Sequence, residues 1–368
     1  MDFSVSKKNL FYSLGHFQSV IEKRNTIPIL SNIKIEALEH NIKITATDLA
    51  LEISESIEAK INLPGELTVP SQLLFDIIRK APEDSEIEIR EEKESGQVFI
   101  FFRDSKFSLG YLPTSDFPEM EDENLENVLV LNSKKLFYLI NDCKFSMGVD
   151  ESRQYLNGIY FHQNDQNLIA VATDGHRLSR CKIIKSDEVK DFEGIIIPKK
   201  TVFEISKLLE DLDEEVKLYF SKTKIRLIFD NLIITSKLLN ANFPDYESVI
   251  PKDNKLIMTT DCRAFAETID RVSTVSIEKF RTVKLDISNG LCVVSSFGQE
   301  KSAGTEQIKV DYSGPNININ FNAKYILDVL NLFKTGDVSI TFSENTAPTI
   351  LRSSNNKDSI YLIMQMRS

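Results

Sequence analysis

The sequence predicts an α+β protein made of three similar repeats, each with two helices packed on one side of a sheet. The first reason is that short segments recur about 126 residues apart in a chain of 368 residues. The second is that helical and strand patterns form separate runs within a repeat, which favours helices layered on a sheet. The recurring segments are Ala-Thr-Asp at 46–48 and 172–174, Leu-Phe-Tyr at 10–12 and 136–138, Phe-Pro-Glu at 117–119 and Phe-Pro-Asp at 243–245.

A third copy is fainter but follows the same order. Phe-Asp-Ile at 75–77 matches Phe-Glu-Ile at 203–205 and then Leu-Asp-Val at 327–329. A period this long is the size of a whole domain rather than of a solenoid repeat. We therefore expect three domains, at 1–127, 128–255 and 256–368; the alternative is one irregular domain.

The elements of the first repeat can be read in order. An amphipathic helix opens it within 5–24, and alternating segments at 33–36 and 42–45 predict strands. A second helix begins at Pro70, because proline is favoured in the first turn of a helix. Further strands are predicted at 86–90, 97–102 and 106–112.

The composition excludes several classes of protein. Apolar residues make up 42% of the chain, but no apolar run has the length of a signal peptide or a membrane span, so we expect a soluble, cytoplasmic protein. The cysteines are scattered without a C-x-x-C pair, which favours reduced core thiols over disulfides or a zinc site. They are Cys143, Cys181, Cys262 and Cys292.

The segment VATDGHRLS at 171–179 raises the question of a hydrolase, since it contains Asp174, His176 and Ser179. The same Ala-Thr-Asp recurs in the first repeat as ATDLALEIS, without a histidine beside it. Thr and Asp after a strand commonly form turns by bonding their own backbone. We therefore interpret the segment as a turn, although a hydrolase using His176 and Asp174 stays an alternative. The four histidines show no metal-ligand spacing, so neither a metal nor a cofactor is expected.

The residues resemble those of the bacterial β sliding clamp family, the processivity subunits of the replicative DNA polymerase. The resemblance covers nearly the whole chain in the family's order. It is carried by RNTIPILSN (24–32), ATDL (46–49), FSM (145–147), YLNG (155–158), VATDGHRL (171–178), FPDY (243–246), EKFR (278–281), YILDVLN (325–331) and MQMR (364–367).

The resemblance implies three clamp domains, each with two helices on antiparallel sheet, in a chain that pairs head to tail with a second copy to close a ring. A heterologous contact whose rotation closes gives a ring rather than a filament. The ring would encircle duplex DNA without reading its sequence and would carry out no chemistry. Its partners would be the polymerase catalytic subunit, the clamp loader, repair polymerases and other proteins with a clamp-binding motif. A scaffold that binds proteins only, and never DNA, is the remaining alternative.

Taken alone, the net charge of −11 argues against binding to DNA. The six candidate helices, at 5–24, 70–80, 132–147, 198–209, 260–272 and 321–334, nevertheless carry 16 basic and 8 acidic residues, which leaves −19 for the rest of the chain. Because the family lines its hole with these helices, a basic subset there fits binding to phosphates. The favoured phosphate contacts are Lys7, Lys8, Arg24, Arg79, Lys80, Lys134, Lys135, Lys199 and Lys200.

The resemblance also implies individual DNA contacts. Arg24 and Tyr155 match family positions that touch DNA, whereas Gln72, Asp150 and Gln154 occupy such positions with less usual residues. Asp150 should repel phosphate. The predicted DNA-binding set is Arg24, Gln72, Arg79, Lys80, Asp150, Gln154, Tyr155, Lys199 and Lys200.

The family binds an apolar motif of each partner in a groove between the second and third domains. Leu and Met supply an adaptable apolar floor, and His176 and Arg177 could bond peptide carbonyls at its rim. Ser248 stands where Arg is common, Gln365 replaces Pro and Ser368 replaces Leu, so the mouth is expected to be more polar. The matching positions are Leu156, Thr173, Gly175, His176, Arg177, Leu178, Pro244, Val249, Tyr325, Leu362, Met364, Met366 and Arg367.

The ring seam is expected where an edge strand of the first domain, FFRDSKFSLG at 101–110, meets an edge of the third domain. Pairing would remove two exposed strand edges. Phe107 could pack near Thr274 and Val275, and Thr274 is smaller and more polar than the usual residue. The predicted seam residues are Arg103, Lys106, Phe107, Thr274, Val275, Glu300 and Glu306, with Arg103 and Lys106 facing the two glutamates.

Overall fold

The computed structural model describes residues 1–21, 27–121, 124–186, 190–276, 281–343 and 347–366. Six α-helices lie in these ranges, two in each predicted repeat. They are α1 (Lys7–Phe17), α2 (Ser71–Lys80), α3 (Ser133–Lys144), α4 (Lys199–Leu209), α5 (Cys262–Ser273) and α6 (Ala323–Phe333). The predicted helices and their order are confirmed.

Strands make up most of the remaining structure, and they form antiparallel pairs throughout the described ranges. They are β1 (Asp2–Ser6), β2 (Asn32–Ala37), β3 (Asn41–Thr47), β4 (Leu51–Glu58), β5 (Lys60–Leu63), β6 (Gly65–Pro70), β7 (Glu86–Glu92), β8 (Gln97–Phe102), β9 (Ser105–Gly110), β10 (Asn127–Asn132), β11 (Gly158–Gln163), β12 (Asn167–Thr173), β13 (Arg177–Ile184), β14 (Ile195–Pro198), β15 (Glu215–Phe220), β16 (Lys224–Phe229), β17 (Leu232–Lys237), β18 (Leu256–Asp261), β19 (Thr282–Ser288), β20 (Leu291–Phe297), β21 (Ala303–Lys309), β22 (Ile317–Asn322), β23 (Asp337–Phe342), β24 (Thr349–Ser353) and β25 (Ser359–Ile363).

These strands form four sheets. The first has the order β5-β1-β7-β8-β9, and the last has the order β21-β20-β19-β22. The two sheets between them have eight strands each, in the orders β10-β15-β16-β17-β4-β3-β2-β6 and β14-β11-β12-β13-β25-β24-β23-β18. Each eight-stranded sheet therefore joins four strands of one repeat to four strands of the next.

The chain divides into two compact units. Unit 1 comprises Met1–Leu136 and Phe203–Leu238, and unit 2 comprises Phe137–Val202 and Leu239–Ser368. This division cuts through the second repeat, because its strands β10, β15, β16 and β17 pair with the first repeat while β11 to β14 lie with the third. The three-domain boundaries stay a prediction.

The helices form where capping and apolar spacing agree. Ser6 caps α1 by accepting from the backbone N–H of Asn9, and Asp261 caps α5 by accepting from that of Ala264. α1 packs against α2, with the rings of Phe11 and Phe75 stacked at 5.2 Å. The predicted first helix ran to residue 24, but α1 ends at Phe17.

The cysteines behave as the sequence indicates. All four thiols are free and buried. Burial raises the pKa of Cys262 to about 11 and that of Cys292 to about 12, so both thiols are protonated at neutral pH and unreactive. None of the helices in the described ranges is long and apolar enough to cross a membrane.

Candidate functional site

A cavity of about 560 Å³ lies within unit 2 and contains much of the predicted peptide groove. Its walls are mostly apolar, with a few polar side chains, which is the usual composition of a ligand site. It is lined by Tyr155, Leu156, Thr173, Gly175, Arg177, Leu178, Pro244, Asp245, Tyr246, Ser248, Val249, Ile250, Pro251, Ala347, Pro348, Leu362 and Met364.

The floor of the cavity comes from the pairing of β13 with β25. Leu178 lies opposite Leu362 in this register, and both are buried. They belong to a cluster with Ile350, Ile360 and Tyr246 that continues beneath the cavity. The floor is therefore part of the core of the eight-stranded sheet, which holds it rigid.

The segment between β12 and β13 forms one wall as a tight turn. The Asp174 carboxylate accepts from the backbone N–H groups of His176 and Arg177, at 2.9 and 3.0 Å. The Thr173 hydroxyl donates to the Arg177 carbonyl at 2.6 Å. Gly175 has φ +89°, and a Cβ there would lie 2.9 Å from Nη1 of Arg153. The turn interpretation of this segment is thus consistent with its bonding.

The Arg177 guanidinium is held from several sides. Its Nε donates to Asp174 at 3.0 Å and its Nη1 donates to Asp328 of α6 at 2.5 Å. The same group lies 4.6 Å from the ring centre of Tyr325 and 5.3 Å from that of Phe145. Because two carboxylates already occupy it, we expect Arg177 to shape the wall rather than to donate freely to a peptide.

The Phe-Pro segment after β17 forms the opposite wall. The ring of Phe243 stacks on Tyr160 at 4.9 Å, and Nε2 of His162 lies 3.0 Å from the Tyr246 hydroxyl. Burial is the main cause that lowers the pKa of His162 and raises that of Tyr246, so both groups are neutral at pH 7. Ser248 donates to the carbonyl of Asp245 at 2.8 Å and adds no charge to the wall.

Not every predicted groove residue lines the cavity. His176, Met366 and Tyr325 lie outside its lining, although the Tyr325 ring contacts Arg177, and Arg367 is outside the described residues. The other nine predicted residues line it. Sequence reasoning missed Asp245, Tyr246, Ile250, Pro251, Ala347 and Pro348. Asp245 and Tyr246 belong to the quoted segment FPDY, and Ile250 and Pro251 directly follow Val249, so extending that segment to residue 251 would have found all four.

The geometry argues against a Ser-His-Asp site. The Asp174 carboxylate bonds the backbone and Arg177, while Ser179 is fully buried and bonded to Ser146 at 2.6 Å. A triad needs the histidine between the acid and the nucleophile, and here it is exposed on the turn. Among the described residues, no cluster of three His, Cys, Asp or Glu could hold a metal ion.

The predicted DNA contacts have different surroundings. Gln72 and Arg79 both donate to Asp76, at 3.1 and 2.7 Å, so part of the α2 charge is offset. Lys80 is exposed, whereas Lys199 and Lys200 are half-buried at the start of α4. Arg24 lies outside the described residues.

The second group of predicted DNA contacts lies around residues 150–155. Asp150 accepts from the backbone N–H of Ser152 at 2.8 Å and from Nε of Arg153 at 3.1 Å. Its charge is therefore used locally, and the Ser152 hydroxyl, which donates at 2.7 Å, lowers the pKa of its carboxyl together with these two bonds. Gln154 is exposed, and Tyr155 lines the groove cavity.

Not all of the lysines predicted from helix charge are free to contact phosphate. Lys7 is buried, with its Nζ 2.6 Å from Glu83 and 5.0 Å from the ring centre of Phe11. The expectation that Lys7 contacts phosphate is therefore wrong, because its ammonium is enclosed and paired. Lys134 pairs with Asp213 at 2.5 Å on the surface, while Lys8 and Lys135 are exposed.

Three of the predicted seam residues lie on outer strands, Lys106 and Phe107 on β9 and Glu306 on β21, and the other four lie in segments beside these strands or after α5. Phe107 on β9 is 40% exposed and stacks on Phe102 at 5.5 Å. Thr274 follows α5 and is exposed, as are Arg103, Lys106 and Glu300. Glu306 on β21 is already bonded by Arg271 at 2.6 Å within the same chain.

Comparison with known proteins covers almost the entire chain. Family models of the DNA polymerase III beta subunit match its N-terminal domain at 1–121, its central domain at 130–245 and its C-terminal domain at 247–367. The beta sliding clamp of Caulobacter vibrioides (strain NA1000 / CB15N) is 36% identical, with both chains fully covered. The beta sliding clamp of Escherichia coli K12 is 32% identical, again over the whole of both chains.

Solved structures give the same result. The sliding clamp of Bartonella birtlesii bound to griselimycin has a TM-score of 0.96 and 36% identity, with both chains fully covered. The DNA polymerase III subunit beta of Pseudomonas aeruginosa has a TM-score of 0.95 and 33% identity over the same full length. The chain therefore belongs to the DNA polymerase III beta-subunit family, the beta sliding clamps, which are the non-catalytic processivity subunits of the DNA polymerase III holoenzyme.

Proposed function

We propose that two copies of this chain close head to tail into a ring that slides on duplex DNA, and that the unit 2 cavity tethers partner proteins to it. The partners are the replicative polymerase, the clamp loader and repair proteins, and the site of action is the cytoplasm, on chromosomal DNA. The observation that carries the proposal is that two sheet junctions repeat within the chain while a third is left open.

The two closed junctions are equivalent. β4 of the first repeat pairs with β17 of the second, and β13 of the second pairs with β25 of the third. By the repeat, β4, β13 and β21 are equivalent strands, and so are β9, β17 and β25. Among the described strands of the chain, β9 and β21 each lie at one edge of their sheet and have no neighbour on that side. A second copy of the chain supplies the missing neighbour of each.

The closed junctions also give the register of the open one. Ile234 lies opposite Ile53 at the first junction, and Tyr361 lies opposite Ser179 at the second. Transferring either register to β9 and β21 places Phe107 opposite Gly304, with the same result from both. All four residues at the closed junctions are buried, so Phe107 should become buried as well.

The open junction has a shape suited to this pairing. A Cβ on Gly304 would lie 3.3 Å from Cγ2 of Val275, so an aromatic ring crossing the glycine would reach this valine. This supports the predicted contact of Phe107 with Val275. The same register puts Lys106 and Glu306 on opposite faces of the shared sheet, so we do not expect them to form an ion pair in it.

Charge supports contact with DNA rather than with protein alone. Lys8, Lys80 and Lys135 extend from exposed helix positions in a chain whose net charge is −11. A sliding ring needs contacts with phosphates that carry no sequence information, and exposed lysines provide them. The other predicted contacts, including Tyr155, Lys199 and Lys200, remain part of the proposal.

The ring is tested by retention on DNA. The protein is loaded with its clamp loader onto a nicked circular plasmid, and the fraction that stays on the DNA is measured before and after the plasmid is linearised. We expect retention on the circle and rapid loss from the linear form, since a ring can slide off an end. Equal retention on both forms would exclude encirclement, and no retention on either would favour a protein-only scaffold.

The groove is tested with an exposed residue of its lining. Met364 is 42% exposed, so Met364→Ala should leave the fold intact. Because a bound apolar peptide would bury this exposed surface, its loss should reduce peptide affinity by roughly tenfold. Ile184→Ala is the matched control, because Ile184 is 83% exposed on the same sheet outside the lining. Peptide affinity is measured by fluorescence anisotropy, and an equal effect of both variants would argue against the cavity.

A further inference from the structure

Two arginines lie beside the groove floor on the same face of its sheet. Arg180 is opposite Ile360 in the pairing of β13 with β25. Extending the β24–β25 register by one pair places Arg352 on the other side of Ile360. Leu178 and Leu362 of the floor are two residues further along the same strands, so they point to the same face.

Neither guanidinium is paired within the described part of the chain. Among the described residues, neither arginine side chain makes an ion pair or a hydrogen bond, and Nε of Arg180 is buried without an acceptor. Both side chains are half-buried. Burial and the nearby charge of Arg180 lower the pKa of Arg352. Two cations close together with a buried, unmet donor cost stability, and an anion bound between them would remove that cost.

The neighbouring charged residues show where on the sheet face the unpaired positive charge lies. One step further from the groove, Lys182 already pairs with Asp358 at 3.7 Å. Glu247 acts electrostatically on both Tyr246 and His162, as Arg180 does, but no ion pair joins Glu247 to Arg180. The uncompensated positive charge is thus confined to the row that contains Ile360, next to the apolar floor.

The distance from the two arginines to the groove floor suits a side chain of a peptide bound in the groove. Two residues along a strand correspond to roughly 7 Å, which is the length of two residues of an extended peptide. A peptide with its apolar side chains on Leu178 and Leu362 could therefore place a nearby side chain over Ile360. A carboxylate there would bond guanidinium groups in their preferred planar geometry.

We propose that Arg180 and Arg352 bind an acidic side chain that flanks the apolar anchors of a partner peptide in the groove. The inference rests on the proposed peptide groove and adds a charge preference to it. The partners selected would be those whose apolar motif has Asp or Glu on the side that lies over Ile360.

The test compares matched peptides. An uncharged apolar peptide that binds the protein is extended on either side with two Asp residues or with two Asn residues, and dissociation constants are measured by fluorescence anisotropy. We expect the Asp form to bind roughly five- to tenfold more tightly than the Asn form on one side only, in line with charge-assisted hydrogen bonds at a half-exposed site. The preference should shrink as salt is added.

Variants assign the preference to the two arginines. In Arg180→Gln with Arg352→Gln, the ratio of Asp to Asn affinities should fall to about one, whereas Lys182→Gln should keep it. Arg352→Glu should reverse the order, so that a Lys-flanked peptide binds better than the Asp-flanked one. Thermal unfolding of each variant establishes that it is folded.

Three results would overturn the inference: equal affinities of the Asp and Asn peptides on both sides, a preference that persists without the two arginines, or its loss in Lys182→Gln. If the uncharged peptide does not bind at all, the groove itself is refuted along with the charge preference. If it binds without any charge preference, the groove stands and only the arginine site is lost.

Discussion

Replacing Phe107 with alanine tests the shared-sheet register most directly. Phe107 lies on β9, an outer strand, and the register of the two closed junctions places it opposite Gly304 of a second copy. Its ring stacks on Phe102 but keeps 40% of its surface exposed in the single chain. We expect Phe107→Ala to weaken the dimer while the isolated chain stays folded.

The size of the effect follows from the exposed area. A phenylalanine has about 200 Å² of surface to bury, so the exposed fraction amounts to about 80 Å². At about 25 cal/mol per Å², burying it contributes about 2 kcal/mol at each seam. A head-to-tail ring of two chains has two identical seams. Dissociation into single chains should therefore be about 4 kcal/mol easier, or roughly a thousandfold in the dissociation constant.

Sedimentation equilibrium over a range of concentrations measures this constant. Phe203→Ala is the matched control, because Phe203 is 44% exposed but lies on α4 rather than on an outer strand. The control should dimerise like the unmodified protein. A dissociation constant of Phe107→Ala within threefold of the unmodified protein would refute the register.

Three further predictions concern single side chains. Asp142→Asn should raise the free energy of unfolding by roughly 2 kcal/mol at pH 8 and by little at pH 4, as measured by urea denaturation at both values. Burial raises the pKa of the Asp142 carboxyl to about 6, so the folded state keeps a proton that the unfolded state loses near pH 4. The stability of the unmodified protein therefore falls as the pH rises from 4 to 6. An equal effect of the substitution at pH 4 and pH 8 would contradict this reasoning. Lys34→Met should lower the free energy of unfolding, measured in urea, by roughly 2 kcal/mol. The Nζ of Lys34 lies 2.8 Å from Glu119 and 3.4 Å from both Glu36 and Glu66, and these three carboxylates would lose their shared cation. The control is the exposed pair of Lys134 with Asp213: Lys134→Met should change the free energy of unfolding by less than about 1 kcal/mol. Asp328→Asn should weaken peptide binding by roughly fivefold in fluorescence anisotropy, because Arg177 loses one of the two carboxylates that hold it in the groove wall; unchanged affinity would mean that Asp174 alone is sufficient.

The repeat made much of the fold predictable, since each element type was supported by two or three copies. Boundaries were less predictable. The first helix was expected to reach residue 24, but the chain turns after Phe17, where the Val20 N–H bonds the Phe17 carbonyl. Pro70 was expected inside the second helix, but it ends β6, opposite Asn32, and the helix begins at Ser71.

Long-range pairing explains what the sequence did not reveal at the site. Glu83, which pairs with the Lys7 ammonium, is 76 residues away, and Asp328, which holds Arg177, is 151 residues away. Charge counted along a helix cannot show such partners. The groove residues were identified by resemblance to the family, whereas the partners that orient them depend on how β13 meets β25 and α6.

The open strands β9 and β21 also bear on how long the protein stays on DNA. If both seams form, opening one leaves the two chains joined through the other, and the parted strands remain near each other at an effective concentration in the millimolar range. Reclosure is then independent of protein concentration. Residence time on a circle would be set by how fast a single seam opens and recloses, so diluting the protein would not shorten it.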